Sequence, residues 1–300
     1  GFDQSGSNNA SMFTFDNSFV PSGIQTQFDG WQPVSSTNQT GDNLNAETPY
    51  LLFVRGDRSI NLFSNSSPAT NTTLSATGTL FTSSTSTQDL SSEPEYFSLV
   101  ANPFQAIVNF NDLAFTGRGN SNFMYVYDPT QKDYVTLETG TNDSDMFIRP
   151  GQSFFVVNTT GTATASTVEF EQADINTSPS PGPTTTVFND SPLAKLELEL
   201  YNGSNDLRET LKLRFQDNAT NAINEFDAPK LKGNSENLAS VNSGNIYTIE
   251  RRARVQDSDQ IPLHLDQYQG DNYEFRLNVE HWNSDVEVFV ADNYLGTTTE

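Results

Sequence analysis

In the second half of the chain, apolar and polar residues alternate at a period of two, and this pattern constrains the fold more than any other feature. Leu196, Leu198 and Leu200 alternate with Lys195, Glu197 and Glu199, and Leu211, Leu213 and Phe215 with Lys212, Arg214 and Gln216. The rhythm returns at Ile261, Leu263 and Leu265, at Tyr273, Phe275, Leu277 and Val279, and at Val286, Val288 and Val290. Successive side chains of a strand point to opposite faces, so each run has one face to bury and one to wet. Antiparallel sheets packed face to face have this pattern, and a spacing of roughly 10–15 residues between runs suits a sandwich of about 100 residues. The expected fold class is all-β: two antiparallel β-sandwich domains in tandem, Ig-like or jelly-roll-like. Only 219–228 reads as a short helical turn.

The first half carries shorter apolar patches at 12–15, 50–54, 60–63 and 73–81, then at 96–100, 124–127, 134–137, 154–157 and 168–170. Turn signals separate the later patches: Asn102-Pro103, Gly117-Arg118-Gly119-Asn120, Asp128-Pro129 and Pro150-Gly151. Residues 82–87 (TSSTST) are expected, on composition, to form a mobile loop. Residues 175–186 (INTSPSPGPTTT) cannot pair as a central strand and read as a semi-rigid linker. The expected organisation is a Ser/Thr/Asn-rich sandwich over 1–175, a linker over 176–187 and a second sandwich over 188–300.

Composition narrows the setting. Aromatic residues make up 11% of the chain, including 22 Phe, which argues against disorder although only 34% is hydrophobic. The net charge of −23 repels nucleic acid and anionic membranes, so neither is an expected partner. The same charge keeps a protein soluble in a salty medium and attracts divalent cations. The absence of cysteine rules out disulfides, thiolate metal sites and cysteine nucleophiles. No run approaches the ~20 apolar residues of a membrane span, so direct insertion is not expected. A chain opening at Gly1 reads as a processed product or an excised fragment, with any export signal elsewhere.

Several motifs then fall in a familiar order. Residues 96–104 (YFSLVANPF) resemble the "hxLVGNPYxS" segment of large secreted Bacteroidota proteins. Residues 123–129 (FMYVYDP) are similar to their "n-h-Y-h-W-D-P" strand and turn, and 148–156 (IRPGQSFFV) to their "I-x-P-G-Q-A-F-F-V". Asn218-Ala219-Thr220 through Asp227-Ala228-Pro229-Lys230-Leu231 resembles their "A-T-x(n)-D-A-x-K-L" run, and 235–240 and 291–295 continue the likeness. The departures are Ala101 for Gly, Phe104 for Tyr, Tyr127 for Trp and Asn224 for Asp. The resemblance implies an extracellular, cell-surface protein exported by the type IX secretion system. It also implies secretion machinery as a partner, engaged through a C-terminal sorting domain expected beyond Glu300. Such regions accompany adhesins, gliding-related proteins and polysaccharide-degrading enzymes. Physically the motifs read as scaffold: proline and glycine turns, and consecutive aromatics at Phe154-Phe155 that would bury both faces of a strand.

No residue pattern spells a catalytic constellation, and the expectation is that the chain is not an enzyme. His264 and His281 lack a third clustered ligand and read as surface histidines. No G-x-S-x-G elbow is present. Paired carboxylates, which meet only in space, are left to the structure. Asp143 and Asp145, and Asp257 and Asp259, form short D-x-D loops of the kind that hold Ca²⁺. Neither continues into a full calcium loop, so solvated turn carboxylates are the simpler reading; no other cofactor is expected. Arg55-Gly56-Asp57 spells an integrin tripeptide but reads here as a hairpin turn, and resembles a "V-R-G-D-R-S" turn of the same family. Trp31 and Trp282, with Tyr268 and Tyr294 behind them, offer a glycan-stacking platform, against which core packing of a large ring is the competing reading. The expected function is a structural or adhesive module, with surface glycans or other surface proteins as partners. The alternative is a carbohydrate-binding accessory region of a secreted glycan-degrading enzyme.

Overall fold

The computed structural model describes residues 10–22, 26–34, 44–54, 70, 73, 79–128, 133–141, 146–176, 194–217, 219–256, 259–282, 286–292 and 296–299. The chain is all-β, with three short 3-10 turns as its helical content among these residues. It divides into two compact units, Gly1–Val126 with Leu137–Thr184, and Tyr127–Thr136 with Thr185–Glu300. Residues 127–136, which the sequence reading gave to the first domain, belong with the second unit.

The strands up to the division at 184 are β1 (Met12–Phe15), β2 (Trp31–Pro33), β3 (Leu51–Leu52), β4 (Thr85–Leu90), β5 (Phe97–Ala101), β6 (Val108–Asn109), β7 (Ala114–Thr116), β8 (Phe123–Asp128), β9 (Asp133–Glu138), β10 (Phe147–Ile148), β11 (Ser153–Val157) and β12 (Ser166–Glu171). The strands β5, β11 and β8, in the sheet order β5-β11-β8-β9, form the middle layer of the first unit. On one face Val100, Phe154, Val156 and Met124 join Leu90 of β4 and Val168 and Phe170 of β12 in the main core. On the other, Phe97, Tyr125 and Phe155 meet Phe15, Phe28 and Trp31, from β1, β2 and the turn between them. Phe154 and Phe155 thus bury opposite faces, as consecutive residues of a doubly covered strand must.

The polar side chains of this unit have a defined job. β5 lies at the edge of its sheet, and the backbone groups of residues 97, 99 and 101 point away from β11. Side-chain amides meet them: Gln27 Oε1 accepts from Phe97 N at 2.7 Å, and Asn17 Oδ1 from Leu99 N at 2.8 Å. Asn17 also donates to Leu99 O at 3.1 Å, and Gln88 does the same for Ala101, accepting from its N at 3.0 Å and donating to its O at 2.7 Å. A carboxamide carries one acceptor and two donors, so it replaces a missing strand neighbour and blunts the edge. Asn102 works the same way at the next turn. Its Nδ2 donates to Ala106 O, Ile148 O and Arg149 O, and its Oδ1 accepts from Phe104 N. We expect Asn102→Ala, which strands these groups in a site 2% exposed, to cost about 2–4 kcal/mol in urea unfolding. Asn102→Asp, which keeps only the acceptor, should cost nearly as much.

In the second unit, β13 (Ala194–Asn202), β14 (Leu207–Gln216), β15 (Ala228–Pro229), β16 (Asn237–Asn242), β17 (Asn245–Ala253), β18 (Leu263–Asp266) and β19 (Tyr273–Glu280) form one sheet in the order β18-β16-β17-β14-β13-β19, with β15 on β17. β20 (Val290–Asp292) and β21 (Thr297–Thr299) pair separately. The leucine rows of β13 and β14 face one core with Leu238, against which Ile261, Trp282, Val288 and Val290 pack. Phe275, Leu277 and Val279 lie opposite Leu200, Leu198 and Leu196 on the same face, but on edge strand β19 they stay 39–44% exposed.

Three expectations are corrected here, and one pair of strands is added. The sheet is not wholly antiparallel, because β14 and β17 run parallel with Lys212 opposite Ile249. The second half of the loop expected at 82–87 is strand: residues 85–87 open β4, which pairs with β12 along its length, and Ser86 and Gln88 are buried with their polar atoms bonded. The helical turn expected over 219–228 is absent, because buried Asp227 gathers the loop by accepting from Asn224 N and Arg251 N. Burial nonetheless raises the Asp227 carboxyl to about 6. Finally, β16 and β17, unassigned from sequence, are central strands joined through Ser243 and Gly244, both at positive φ.

Candidate functional site

The densest chemistry of the second unit starts at a break in its leucine face. Glu209 sits opposite Leu200, beside the register shift between Leu200 and Tyr201. Directly paired residues share a face, so this carboxylate takes a place in the row continued by Leu211, Leu213 and Phe215. Lys230 follows β15 and is anchored by its own N–H on Ile246 O at 2.8 Å. Its side chain is 1% exposed, its Nζ meets Glu209 Oε2, and it lies 3.4 Å from Asp133 Oδ2. Asp133 opens β9, is 3% exposed, and accepts from Tyr134 N through Oδ1 at 2.7 Å. All three residues belong to the second unit. Gly233 makes room for them: a Cβ there would fall 2.2 Å from Asp133 Oδ1 and 2.7 Å from its Cα.

The cluster holds two carboxylates and one ammonium away from water, where charge is costly. Burial is the main cause that raises the Glu209 carboxyl to about 7; the Lys230 charge pulls it back and the Asp133 charge pushes it further up. Glu209 can therefore hold or release a proton near neutral pH, which the usual surface glutamate does not do.

One residue earlier, Arg208 points the other way, toward Glu236. Arg208 Nε donates to Glu236 Oε2 at 3.0 Å, Ser235 Oγ donates to the same oxygen at 2.6 Å, and Tyr273 Oη donates to Oε1 at 2.7 Å. Burial alone would raise the Glu236 carboxyl, but these hydrogen bonds outweigh it and hold it at about 2. It is an acceptor already saturated by donors, and it fixes Arg208 rather than serving as a base. Above it opens a polar cleft of about 390 Å³, lined by Asn202, Ser204, Arg208, Glu236, Gln269 and Asn272 among others. Tyr268, 60% exposed, stands next to Gln269 with its ring 5.8 Å from that of Tyr273.

The residues singled out from sequence fall elsewhere. Trp31 is half-buried, edge-on to Phe15 and Phe155, and Trp282 is half-buried on Phe215, donating from Nε1 to Val286 O at 2.9 Å. Both rings pack into cores, so the platform reading passes from them to Tyr268. His264 lies 3.0 Å from Asp266 and 3.2 Å from Lys232 in a half-exposed ion group, and His281 is exposed at a positive-φ turn. Asp259 accepts from Gln256 N at 3.0 Å and closes a turn. Asp143, Asp145, Asp257, Tyr294 and the Arg55-Gly56-Asp57 tripeptide lie outside the described residues. Among the described residues no group of three or more metal-ligating side chains converges, and no helix is long and apolar enough to cross a membrane.

Sequence reasoning passed over Glu209, Lys230, Asp133 and Glu236. Glu209 had a usable signal, since it is in phase with Leu211, Leu213 and Phe215. Lys230 lies in the D-A-P-K-L motif, where Asp227 caps the loop, and Ala228 and Leu231 are buried beside it. Asp133 gave no signal, because its burial depends on residues about a hundred positions away.

No curated protein and no solved structure matches the chain. One family model, described as a domain of unknown function (DUF8693), matches residues 4–300, and the chain belongs to that family.

Proposed function

We propose that the chain is a non-catalytic structural and adhesive module of an extracellular, cell-surface bacterial protein exported by the type IX route. The observation that carries this reading is the use made of its polar side chains. Gln27, Asn17, Gln88 and Asn102 are spent on backbone groups of the scaffold, and Gln152 closes the Pro-Gly turn by accepting from Arg149 N at 3.0 Å. Asn102 and Gln152 lie within the segments, 96–104 and 148–156, that resemble those of secreted surface proteins. Such a module spaces a partner region from the cell or contributes to attachment, and its own stability is the trait it needs.

A second reading has its own support in the cleft beside Tyr268. An exposed ring next to fixed amide, guanidinium and carboxylate groups is the chemistry that recognises a sugar. Binding of the full chain to an immobilised polysaccharide panel separates the two. A module that only spaces its neighbours, or attaches through other surface proteins, expects no saturable binding to polysaccharide. Saturable binding lost in both Tyr268→Ala and Arg208→Gln would replace it with the glycan-binding reading.

A further inference from the structure

We infer that Lys230, Asp133 and Glu209 form an autocatalytic site at which the folded chain joins Lys230 Nζ to Asp133 Cγ in an amide bond, with Glu209 relaying the protons. This goes beyond the module reading, because it concerns chemistry inside the fold and stands whether or not the surface binds anything.

The geometry supplies each requirement. Nζ lies 3.4 Å from Oδ2 of the carboxyl whose carbon it would attack, so nucleophile and target are held side by side by the fold. Glu209 Oε2 touches the same Nζ, so a proton acceptor is in place at the nucleophile. Glu209 Oε1 accepts from Thr210 N at 3.0 Å, which fixes the carboxyl plane. On the other side the Tyr134 N–H holds Asp133 Oδ1, stabilising charge that develops on that oxygen during attack. Water, which would compete and hydrolyse, is kept off two side chains that are 1% and 3% exposed. The raised carboxyl of Glu209 suits a group that takes and returns protons near neutral pH.

The step balances without any co-reactant. The Lys230 ammonium passes one proton through Glu209 to the Asp133 carboxylate, leaving a neutral amine and a carboxylic acid. Nζ attacks Cγ and the N–C bond forms. A second proton leaves Nζ through Glu209 to the departing oxygen, the C–O bond breaks, and one water is released. Glu209 ends in the state in which it began. The driving force follows from burial, because an ammonium and a carboxylate that are costly to bury become one neutral amide. Gly233 is a positioning residue, since a side chain there would push Asp133 off this line.

The test is the intact mass of the purified full chain under denaturing conditions, with peptide sequencing after trypsin. The expected mass is lower than the sequence mass by one water. A branched peptide should carry Asp133 and Lys230 together, with no cleavage after Lys230. Lys230→Arg and Glu209→Gln should each restore the full sequence mass for that substitution and remove the branched peptide. A wild-type chain at its full sequence mass, or one that has lost water elsewhere without the branched peptide, overturns the proposal. A Glu209→Gln chain that still forms the branched peptide as completely as wild type overturns the role given to Glu209. Should Lys230→Arg fail to fold, the branched peptide in the wild-type chain decides the matter alone.

Discussion

Phe155→Ala should destabilise the first unit by about 3–5 kcal/mol, the largest loss expected from a single truncation there. Phe155 is 2% exposed and lies in the middle strand of the middle layer, opposite Leu99 on β5 and Tyr125 on β8. Its ring stands edge-on to Phe15 at 5.2 Å and to Trp31 at 6.0 Å, and it reaches Phe97 at 6.4 Å. Truncation therefore removes transfer energy and three aromatic contacts, and opens a void among groups tied down by the Asn17 and Gln27 amides. Collapse around the void is restricted, which places the cost high in its range. Phe155→Leu should recover more than half of it. Urea unfolding followed by Trp31 fluorescence in a Trp282→Phe background measures the unit directly. A loss under ~1 kcal/mol would mean that the outer aromatic layer is not packed as described.

Glu236→Ala should cost the second unit about 3–5 kcal/mol, for an electrostatic reason. The variant leaves the Arg208 guanidinium, 17% exposed, without its partner, and frees Tyr273 Oη and Ser235 Oγ from theirs. Glu236→Gln keeps the shape and loses the charge, and should cost less. The pH dependence gives a second check. The Glu236 carboxyl falls from 4.5 to about 2 on folding, so its contribution is complete above pH 4.5 and lost as pH falls towards 2. Glu236→Gln should therefore flatten the acid limb of the stability profile. Glu209 acts with the opposite sign. Its carboxyl rises from 4.5 to about 7 on folding, so its contribution is full below pH 4.5 and lost as pH rises through 7.

What the sequence revealed depended on how local the cause was. The β13 and β14 rows were legible because each buries one face, and alternation records that directly; β19 alternates in the same way although its apolar row stays 39–44% exposed. β17 was not legible, because Tyr247, Thr248, Ile249 and Glu250 are all buried and a doubly covered strand shows no alternation. β4 escaped because its inward residues are Ser86, Gln88 and Leu90, and only the hydrogen bonds of its carboxamide to Ala101 make Gln88 an interior residue. The parallel step between β14 and β17 follows from the path through β15 and β16, which no single window of sequence contains. The same distance rule governs the charge cluster: Glu209 was in phase with buried leucines, whereas Asp133 and Lys230 meet across 97 positions. The turn motifs, by contrast, act over two to five residues, and Pro150-Gly151 and Asn102-Pro103 sit where they were read, with Gly151 at φ 69°.

We propose that this acidic all-β chain works outside the cell as a stable surface module. That proposal is tested by labelling intact, unpermeabilised cells of the source organism with antibody raised against the folded chain, compared with the same cells lacking type IX export. Strong labelling of intact cells, lost in the export-deficient strain, is the expected result. Labelling that requires permeabilisation in both strains would contradict it.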